Sequence, residues 1–124
     1  MTSRDEIIMD RAAARSWISQ CGYPGWLALV DEVYDRLPPG LQIRQAYQKW
    51  AELRFDVDVD DAAFEAFLVE IADRSATICG VCGGAGRRQT VEGWDETICD
   101  PCSARAETRI DGPPDPDEDA RRGR

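Results

Sequence analysis

The most regular pattern along the chain is a stripe of large apolar side chains that repeats at the spacing of one buried helix face. Its members are Trp26, Leu29, Val30, Val33, Tyr34 and Leu37. The run Pro38-Pro39-Gly40 follows and ends the helix, because proline lacks the N–H that would continue it. The pattern predicts a core helix, with Trp26 either buried like the others or partly exposed as a contact residue.

An earlier helix is predicted from a capping box at Ser3 and Glu6 to about Gln20. Gly22 and Pro24 are expected to end this helix. Its inward side is expected to contain Ile7, Ala14, Trp17, Ile18 and Cys21. Cys21 is interpreted as a small buried hydrophobe, since the chain has no histidine to activate a cysteine nucleophile.

The segment from 41 to 50 is ambiguous. Its apolar residues recur at helical spacing and are Ile43, Ala46, Tyr47 and Trp50. This spacing favours a short helix, and a strand that begins at Leu41 is the alternative.

From residue 53 onward the period changes to two, which predicts a half-buried strand. The inward residues are Leu53, Phe55, Val57 and Val59, and the outward residues are Arg54, Asp56 and Asp58. Alternate carboxylates on a flat strand stand ~7 Å apart. Asp56 and Asp58 are therefore interpreted as part of a solvated face and not as a metal cluster.

A further helix is predicted to start at a cap formed by Asp60 or Asp61 and to run to about Ala76. Its buried stripe consists of Phe64, Phe67, Leu68, Ile71 and Ala72. This helix completes a body of helices and a short strand over residues 1–76. It leads directly into a cysteine-rich segment, so we expect no linker between the two parts.

Four cysteines in that segment have the spacing of a structural zinc site, which is two C-x2-C pairs separated by sixteen residues. They are Cys79, Cys82, Cys99 and Cys102. Because the chain contains no histidine, all four ligands would be thiolates. The predicted cofactor is one structural Zn²⁺. A closed set of four sulfurs leaves no position for water, which argues against hydrolysis at the metal.

The residues between the two cysteine pairs predict a β-hairpin. Arg87–Val91 and Trp94–Ile98 read as strands, and Glu92-Gly93 reads as the turn. The hairpin would bring the second pair beside the first and form a zinc ribbon over residues 77–110, packed on the body. Backbone N–H groups of the glycine-rich first pair, with Arg87 or Arg88, are expected to offset the thiolate charge. Residues 103–109 are expected to form one or two helical turns.

Two disulfides or a redox-active dithiol are the alternatives to zinc. Disulfides require an oxidising compartment, and the charged start Met1-Thr2-Ser3-Arg4-Asp5 has no apolar core of a signal peptide. We therefore expect a cytoplasmic location and prefer structural zinc. No catalytic residue is predicted, because histidine is absent and no carboxylate pair stands out from the general acidity.

The chain is acidic, with 24 acidic against 15 basic residues and a net charge of −9. This charge disfavours nucleic acid, whose affinity for proteins rests on cationic contacts. It favours a protein partner, and a basic one in particular. No apolar run approaches the ~18 residues of a membrane-spanning helix, and no small-molecule substrate is indicated. Residues 111–124 are rich in proline and carboxylates and are predicted to be a disordered acidic tail.

The chain also resembles a family of small zinc-ribbon proteins, mostly uncharacterised, that bacterial phages, prophages and other mobile elements encode. The residues that carry the resemblance are Gly25-Trp26-Leu27, Leu53-Arg54-Phe55, Ser75-Ala76-Thr77-Ile78-Cys79-Gly80-Val81-Cys82-Gly83, Trp94 and Thr97-Ile98-Cys99-Asp100-Pro101-Cys102. The resemblance implies a bacterial or phage origin and a zinc site, and it brings no activity with it. The family often has histidine at the last ligand position, where this chain has Cys102. Residues 79–86 are also similar to the C-x2-C-x-G-x-G repeat of Hsp40-type chaperones, of which only one copy is present.

These observations predict an α+β protein with N-terminal helices, a short strand and a C-terminal zinc-ribbon hairpin. The expected function is that of a non-enzymatic structural-zinc protein that binds another protein, as an inhibitor or immunity-type protein of phage or mobile-element origin. A ribbon that associates with nucleic acid or modulates transcription, through Arg87, Arg88, Arg105 and Arg109, is the first alternative. A redox-sensitive thiol protein is the second.

Overall fold

The structure is a computed structural model and describes residues 8–111 of the chain. These residues form helices and two antiparallel β-hairpins. In chain order the elements are α1 (Arg11–Gln20), a single 3-10 turn (Pro24–Trp26), α2 (Leu27–Asp35), β1 (Ile43–Lys49), β2 (Glu52–Val57), α3 (Ala62–Ser75), β3 (Arg87–Val91), β4 (Trp94–Ile98) and α4 (Asp100–Asp111). Strands β1 and β2 form one two-stranded sheet, and β3 and β4 form the other. The mixture of helices and strands agrees with the predicted α+β class.

Helix α1 begins at Arg11, so the predicted helix that runs on from Ser3 is wrong over residues 8–10. Asp10 is the N-cap, and its side chain accepts a hydrogen bond from Ala13 N at 2.8 Å. The backbone N–H of Met9 donates to Ile43 O at 2.8 Å, so the chain before α1 is engaged with β1. The predicted capping box and Ile7 lie outside the described residues.

The buried side of α1 is narrower than the sequence predicts. Ala14 and Ile18 are fully buried, as predicted. Trp17, however, is 44% exposed, and Cys21 is exposed at the C-cap. The prediction that Cys21 is a buried hydrophobe is wrong, because Cys21 is the C-cap residue after the last helical residue, Gln20, and its side chain does not continue the buried side that contains Ile18.

The 3-10 turn and helix α2 confirm the apolar stripe, although α2 ends at Asp35, so Leu37 lies beyond the helix. Trp26, Leu29, Val30 and Val33 are buried, while Tyr34 and Leu37 are half-buried against the same core. Trp26 is fully buried, so the alternative in which it is a partly exposed contact residue is wrong.

Strand β1 occupies the ambiguous segment, so the favoured short helix is wrong and the alternative strand is correct, although it begins at Ile43 and not at Leu41. The strand pairs with β2 from Ile43↔Val57 to Lys49↔Glu52, with a register shift between Ile43 and Gln45. A β-bulge inserts one residue and so shifts the alternation of faces. Ile43 and Ala46, three residues apart, are consequently both buried, which imitates helical spacing.

Strand β2 and helix α3 close the core from the other side. Leu53 and Phe55 are buried as predicted, whereas Val59 lies beyond the strand and is 52% exposed. Asp61 caps α3 and accepts a hydrogen bond from Phe64 N at 2.9 Å. The core formed by α1, α2, α3 and the first hairpin contains Ala14, Ile18, Trp26, Leu29, Val30, Val33, Ile43, Ala46, Leu53, Phe55, Phe64 and Ile71.

The second hairpin has the predicted strands and turn. Its register runs from Arg87↔Ile98 to Val91↔Trp94, which leaves a two-residue loop between the strands. Helix α4 is longer than the one or two turns predicted after the last cysteine and extends to Asp111. The predicted disordered tail lies outside the described residues, except for its first residue, Asp111, which is helical.

Candidate metal centre

The four cysteines of the two C-x2-C pairs converge at one point, although up to 23 positions separate them along the chain. The Sγ atoms of Cys79, Cys82, Cys99 and Cys102 all lie within 4.8 Å of one another. Four sulfurs around one zinc at ~2.3 Å would stand roughly 3.8 Å apart in a regular tetrahedron. The Sγ atoms of Cys82 and Cys99 are 3.8 Å apart. These thiols can therefore hold one metal ion.

The first cysteine pair lies in a tight turn directly after α3. Cys79 N donates to Gly84 O at 2.7 Å, and Gly83 N donates back to Cys79 O at 2.9 Å. Gly83 has a φ of +84°, a conformation that suits glycine because it has no side chain. The turn folds the backbone around Cys79, whose side chain is buried, while Cys82 remains exposed.

The second pair joins β4 to α4. Cys99 follows the last residue of β4, and Cys102 lies in the first turn of α4. Gly80 N donates to Thr97 O at 2.9 Å, so a backbone hydrogen bond connects the first pair to the end of β4. The positions of all four sulfurs thus depend on α3, the hairpin and α4 together.

Hydrogen-bond donors surround the sulfurs on the protein side. Cys82 N approaches Cys79 Sγ at 3.5 Å, and Gly84 N approaches Cys82 Sγ at 3.4 Å, as predicted for the glycine-rich turn. Arg105 Nη2 donates to Cys102 Sγ at 2.9 Å. Donors of this kind orient thiolates and offset their charge. Sequence reasoning named Arg105 only as a nucleic-acid contact and missed its contact with Cys102, although its position three residues after Cys102 on a helix would place both on one face.

The two arginines that were expected to offset the thiolate charge bond to other groups. Arg87 Nη2 pairs with Asp100 Oδ1 at 2.9 Å. The guanidinium of Arg88 donates to the carbonyl oxygen of Trp50, at the tip of the first hairpin. The prediction for Arg87 and Arg88 is therefore wrong, and Arg105 provides the cationic contact.

The thiols of the cluster differ strongly in acidity. Burial opposes ionisation of Cys79, but N–H groups of Cys82, Cys99 and Val81 outweigh it and lower the pKa of Cys79 to about 6. Burial and the neighbouring thiols raise the pKa of Cys102. Because a metal ligand must be a thiolate, the lowered pKa of Cys79 favours its role as a ligand. All five cysteines are free thiols in the structure, so neither disulfide of the alternative interpretation is formed.

Gly25 and Trp26 hold the cysteine cluster in contact with the helical core. Gly25 N donates to Gly80 O at 2.7 Å, and Trp26 Nε1 donates to Ile78 O at 2.9 Å. A Cβ added at Gly25 would lie 2.2 Å from Cys79 O, so only glycine permits this approach. Tyr23 stacks on Trp26 with ring centroids 4.9 Å apart. The sequence contained these residues without indicating that they would contact the cysteines.

Comparison of the chain with models of known protein families, with curated proteins and with solved structures finds no match. The resemblance to phage and mobile-element zinc ribbons therefore stays a prediction. Within residues 8–111, no helix combines the length and the apolar composition that crossing a bilayer requires.

Proposed function

We propose that the protein is a non-enzymatic structural-zinc protein whose metal-bound ribbon and helical core together form a protein-binding module. The convergence of the four sulfurs within 4.8 Å of one another is the observation that carries this proposal. Four soft sulfur ligands at tetrahedral separation are the donor set of structural zinc sites. When bound, zinc would link the turn after α3 to the start of α4.

A structural role for the metal follows from the completeness of the ligand set. Cys79, Cys82, Cys99 and Cys102 would occupy every position of a tetrahedral ion, which leaves none for water or substrate. Four thiolates around a divalent ion also leave excess negative charge. The N–H groups of the first pair and the guanidinium of Arg105 are placed to offset it.

A protein partner is supported by the charge of the chain and by the positions of its arginines. The net charge of −9 repels phosphate backbones and attracts cationic surfaces. Of the four arginines on which a nucleic-acid-binding ribbon would rely, Arg87, Arg88 and Arg105 already bond within the protein, and the side chain of Arg109 lies outside the described part of the chain. These contacts favour protein over nucleic acid. An inhibitor or immunity-type role is the form of protein binding that would fit a phage or mobile-element origin.

Metal analysis of untagged protein tests the first half of the proposal. We expect about one zinc per chain, as in other four-thiolate sites, and release of that zinc when a thiol reagent modifies the cysteines. Cys102→Ser should lose the metal, because it removes a buried ligand. Cys21→Ser is the matched control and should retain it, since Cys21 is exposed and outside the cluster. Metal-free protein with four freely reactive thiols in the ribbon would refute the zinc assignment.

Affinity capture with zinc-loaded and chelator-treated protein tests the second half. We expect the loaded protein to retain a particular protein from a bacterial lysate after nuclease treatment, and the stripped protein to lose it. In a parallel capture without nuclease, recovery of nucleic acid alone, sensitive to salt and to Arg87→Ala with Arg88→Ala, would favour the nucleic-acid alternative and contradict the proposal.

A further inference from the structure

Two strongly exposed tryptophans lie at the ends of the two hairpins, Trp50 in the loop of the first and Trp94 directly after the turn of the second. Trp50 is 62% exposed and Trp94 is 73% exposed, although 44 positions separate them in the chain. They line one open cleft of about 390 Å³. The other lining residues of this tryptophan cleft are Gln48, Lys49, Ala51, Gly93 and Asp95.

Hydrogen bonds between the two hairpins hold the tryptophan cleft in shape. Thr97, which is buried, donates from Oγ1 to Ala51 O at 2.7 Å. The guanidinium of Arg88 donates to Trp50 O, and Gln48 Nε2 approaches Asp95 O at 3.5 Å. The cleft is therefore formed before any partner arrives, which reduces the entropy lost on binding.

The backbone at Trp50 is held in a conformation that tryptophan rarely adopts. Trp50 has a φ of +57° and Ala51 a φ of +65°, in a two-residue loop between β1 and β2. Hairpin loops of this kind favour asparagine and glycine, and the left-handed region is unfavourable for other residues because their Cβ atom crowds the backbone. A large apolar side chain in this position is thus presented to solvent at the expense of stability, a combination that is typical of functional sites.

An exposed carboxylate in the tryptophan cleft and the net charge of the chain suit a cationic ligand. Asp95 lines the cleft, and its carboxylate accepts a hydrogen bond from Thr90 Oγ1 at 3.3 Å but forms no ion pair with the side chains described over residues 8–106. Lys49 is the one cationic residue of the lining, so the charges of the lining are balanced. The attraction for a cationic partner therefore comes from the net charge of −9 of the chain, and the cleft adds exposed indole faces and one carboxylate.

We propose that the tryptophan cleft docks a cationic segment of the partner protein, with an arginine guanidinium stacked on the indole rings of Trp50 and Trp94. Arginine stacks on aromatic faces and pairs with carboxylates in a planar fork, and Asp95 supplies the carboxylate. Tryptophan is among the residues that contribute most to protein interfaces. This inference rests on the proposed protein-binding function and specifies the surface and chemistry that perform it.

The direct test is a nuclear magnetic resonance titration of the zinc-loaded chain with matched peptides. The probes are a short arginine–glycine peptide and the same peptide with citrulline, which keeps the shape of arginine and removes its charge. We expect the arginine peptide to shift the indole N–H signals of Trp50 and Trp94 in a saturable way. The signals of Trp17 and the buried Trp26 should not move, and the citrulline peptide should bind at least tenfold more weakly, on the order expected for a charge-dependent contact.

Variants separate the surface from the fold. Trp50→Asn and Trp94→Ala should each weaken arginine-peptide binding by roughly tenfold or more, as for truncated interface tryptophans. Trp50→Asn should not destabilise the protein, because asparagine suits the left-handed turn. Trp17→Ala is the matched control, since Trp17 is exposed outside the cleft, and it should leave binding unchanged.

Four outcomes would overturn the inference. They are equal binding of the arginine and citrulline peptides, binding that both cleft variants retain, shifts caused by single-stranded oligonucleotide instead of peptide, and concentration-dependent shifts of the same signals without any ligand. The last would identify a second copy of the chain as the occupant. Failure of the proposed function looks different, because zinc-loaded protein would then capture no protein at all. A captured partner that is indifferent to Trp50→Asn and Trp94→Ala would leave that function standing and refute this surface alone.

Discussion

Replacement of Gly25 by alanine is the sharpest test of how the cysteine cluster depends on the helical core. A Cβ at this position would lie 2.2 Å from Cys79 O, 2.5 Å from Gly83 N and 2.9 Å from Gly80 C. All three are backbone atoms, so no side-chain rotation can relieve the overlap. The turn that carries the first cysteine pair would have to move away from the helices.

The size of the effect follows from two contributions. Overpacking of a well-packed interior costs roughly 1–3 kcal/mol, and a strained or broken hydrogen bond from Gly25 N to Gly80 O costs about 0.5–1.5 kcal/mol more. We expect Gly25→Ala to lower the free energy of unfolding of the metal-loaded protein by about 2–4 kcal/mol. If the displaced turn fails to present its sulfurs, the same energy appears as a roughly 30- to 1,000-fold loss of zinc affinity.

Chemical denaturation and competition with a zinc chelator measure the two quantities. Gly84→Ala is the matched control in the same turn, because its Cβ would lie at an ordinary 3.5 Å from Cys82 Sγ and meet nothing closer. We expect Gly84→Ala to change either quantity much less than Gly25→Ala does. Equal stability and equal zinc affinity for the two variants would refute the conclusion that the core seats the metal centre.

Two further predictions concern the fold around the site. Ser75→Ala should destabilise the protein by about 1–3 kcal/mol in urea unfolding, because it leaves the buried N–H of Leu53 without its acceptor. The control Ser16→Ala, at an exposed serine, should change stability little. Equal effects of the two substitutions would contradict this prediction. The hydrogen-bonded ion pair with Arg74 lowers the pKa of Glu32, so its stabilisation is present above the ordinary carboxyl pKa and is lost as the pH falls through the lowered value. On acidification, the free energy of unfolding of Glu32→Gln should therefore fall less than that of the unsubstituted protein. The same pH dependence in both proteins would show that the pair contributes nothing to stability.

Local signals in the sequence were sufficient for the second hairpin and for the cysteines. The Glu92-Gly93 turn and the strands beside it are specified by neighbouring residues, and the structure has them where the sequence predicts them. Strand β1 was not predictable in the same way. Its bulge between Ile43 and Gln45 is a property of its pairing with β2. The bulge buries both Ile43 and Ala46, and their three-residue spacing is that of a helix if the pairing with β2 is not known.

The sequence by itself determined the apolar stripe of α2, the hairpin of the ribbon segment and a set of four thiols suited to one metal ion. Each depends on spacing within a short stretch, which periodicity and turn chemistry control. Only the tertiary structure decided that Gly25 would contact the cysteine turn, that Arg105 would donate to a sulfur and that Trp50 and Trp94 would line one cleft. These arrangements join distant parts of the chain through the packing of whole elements, so residue spacing does not reveal them.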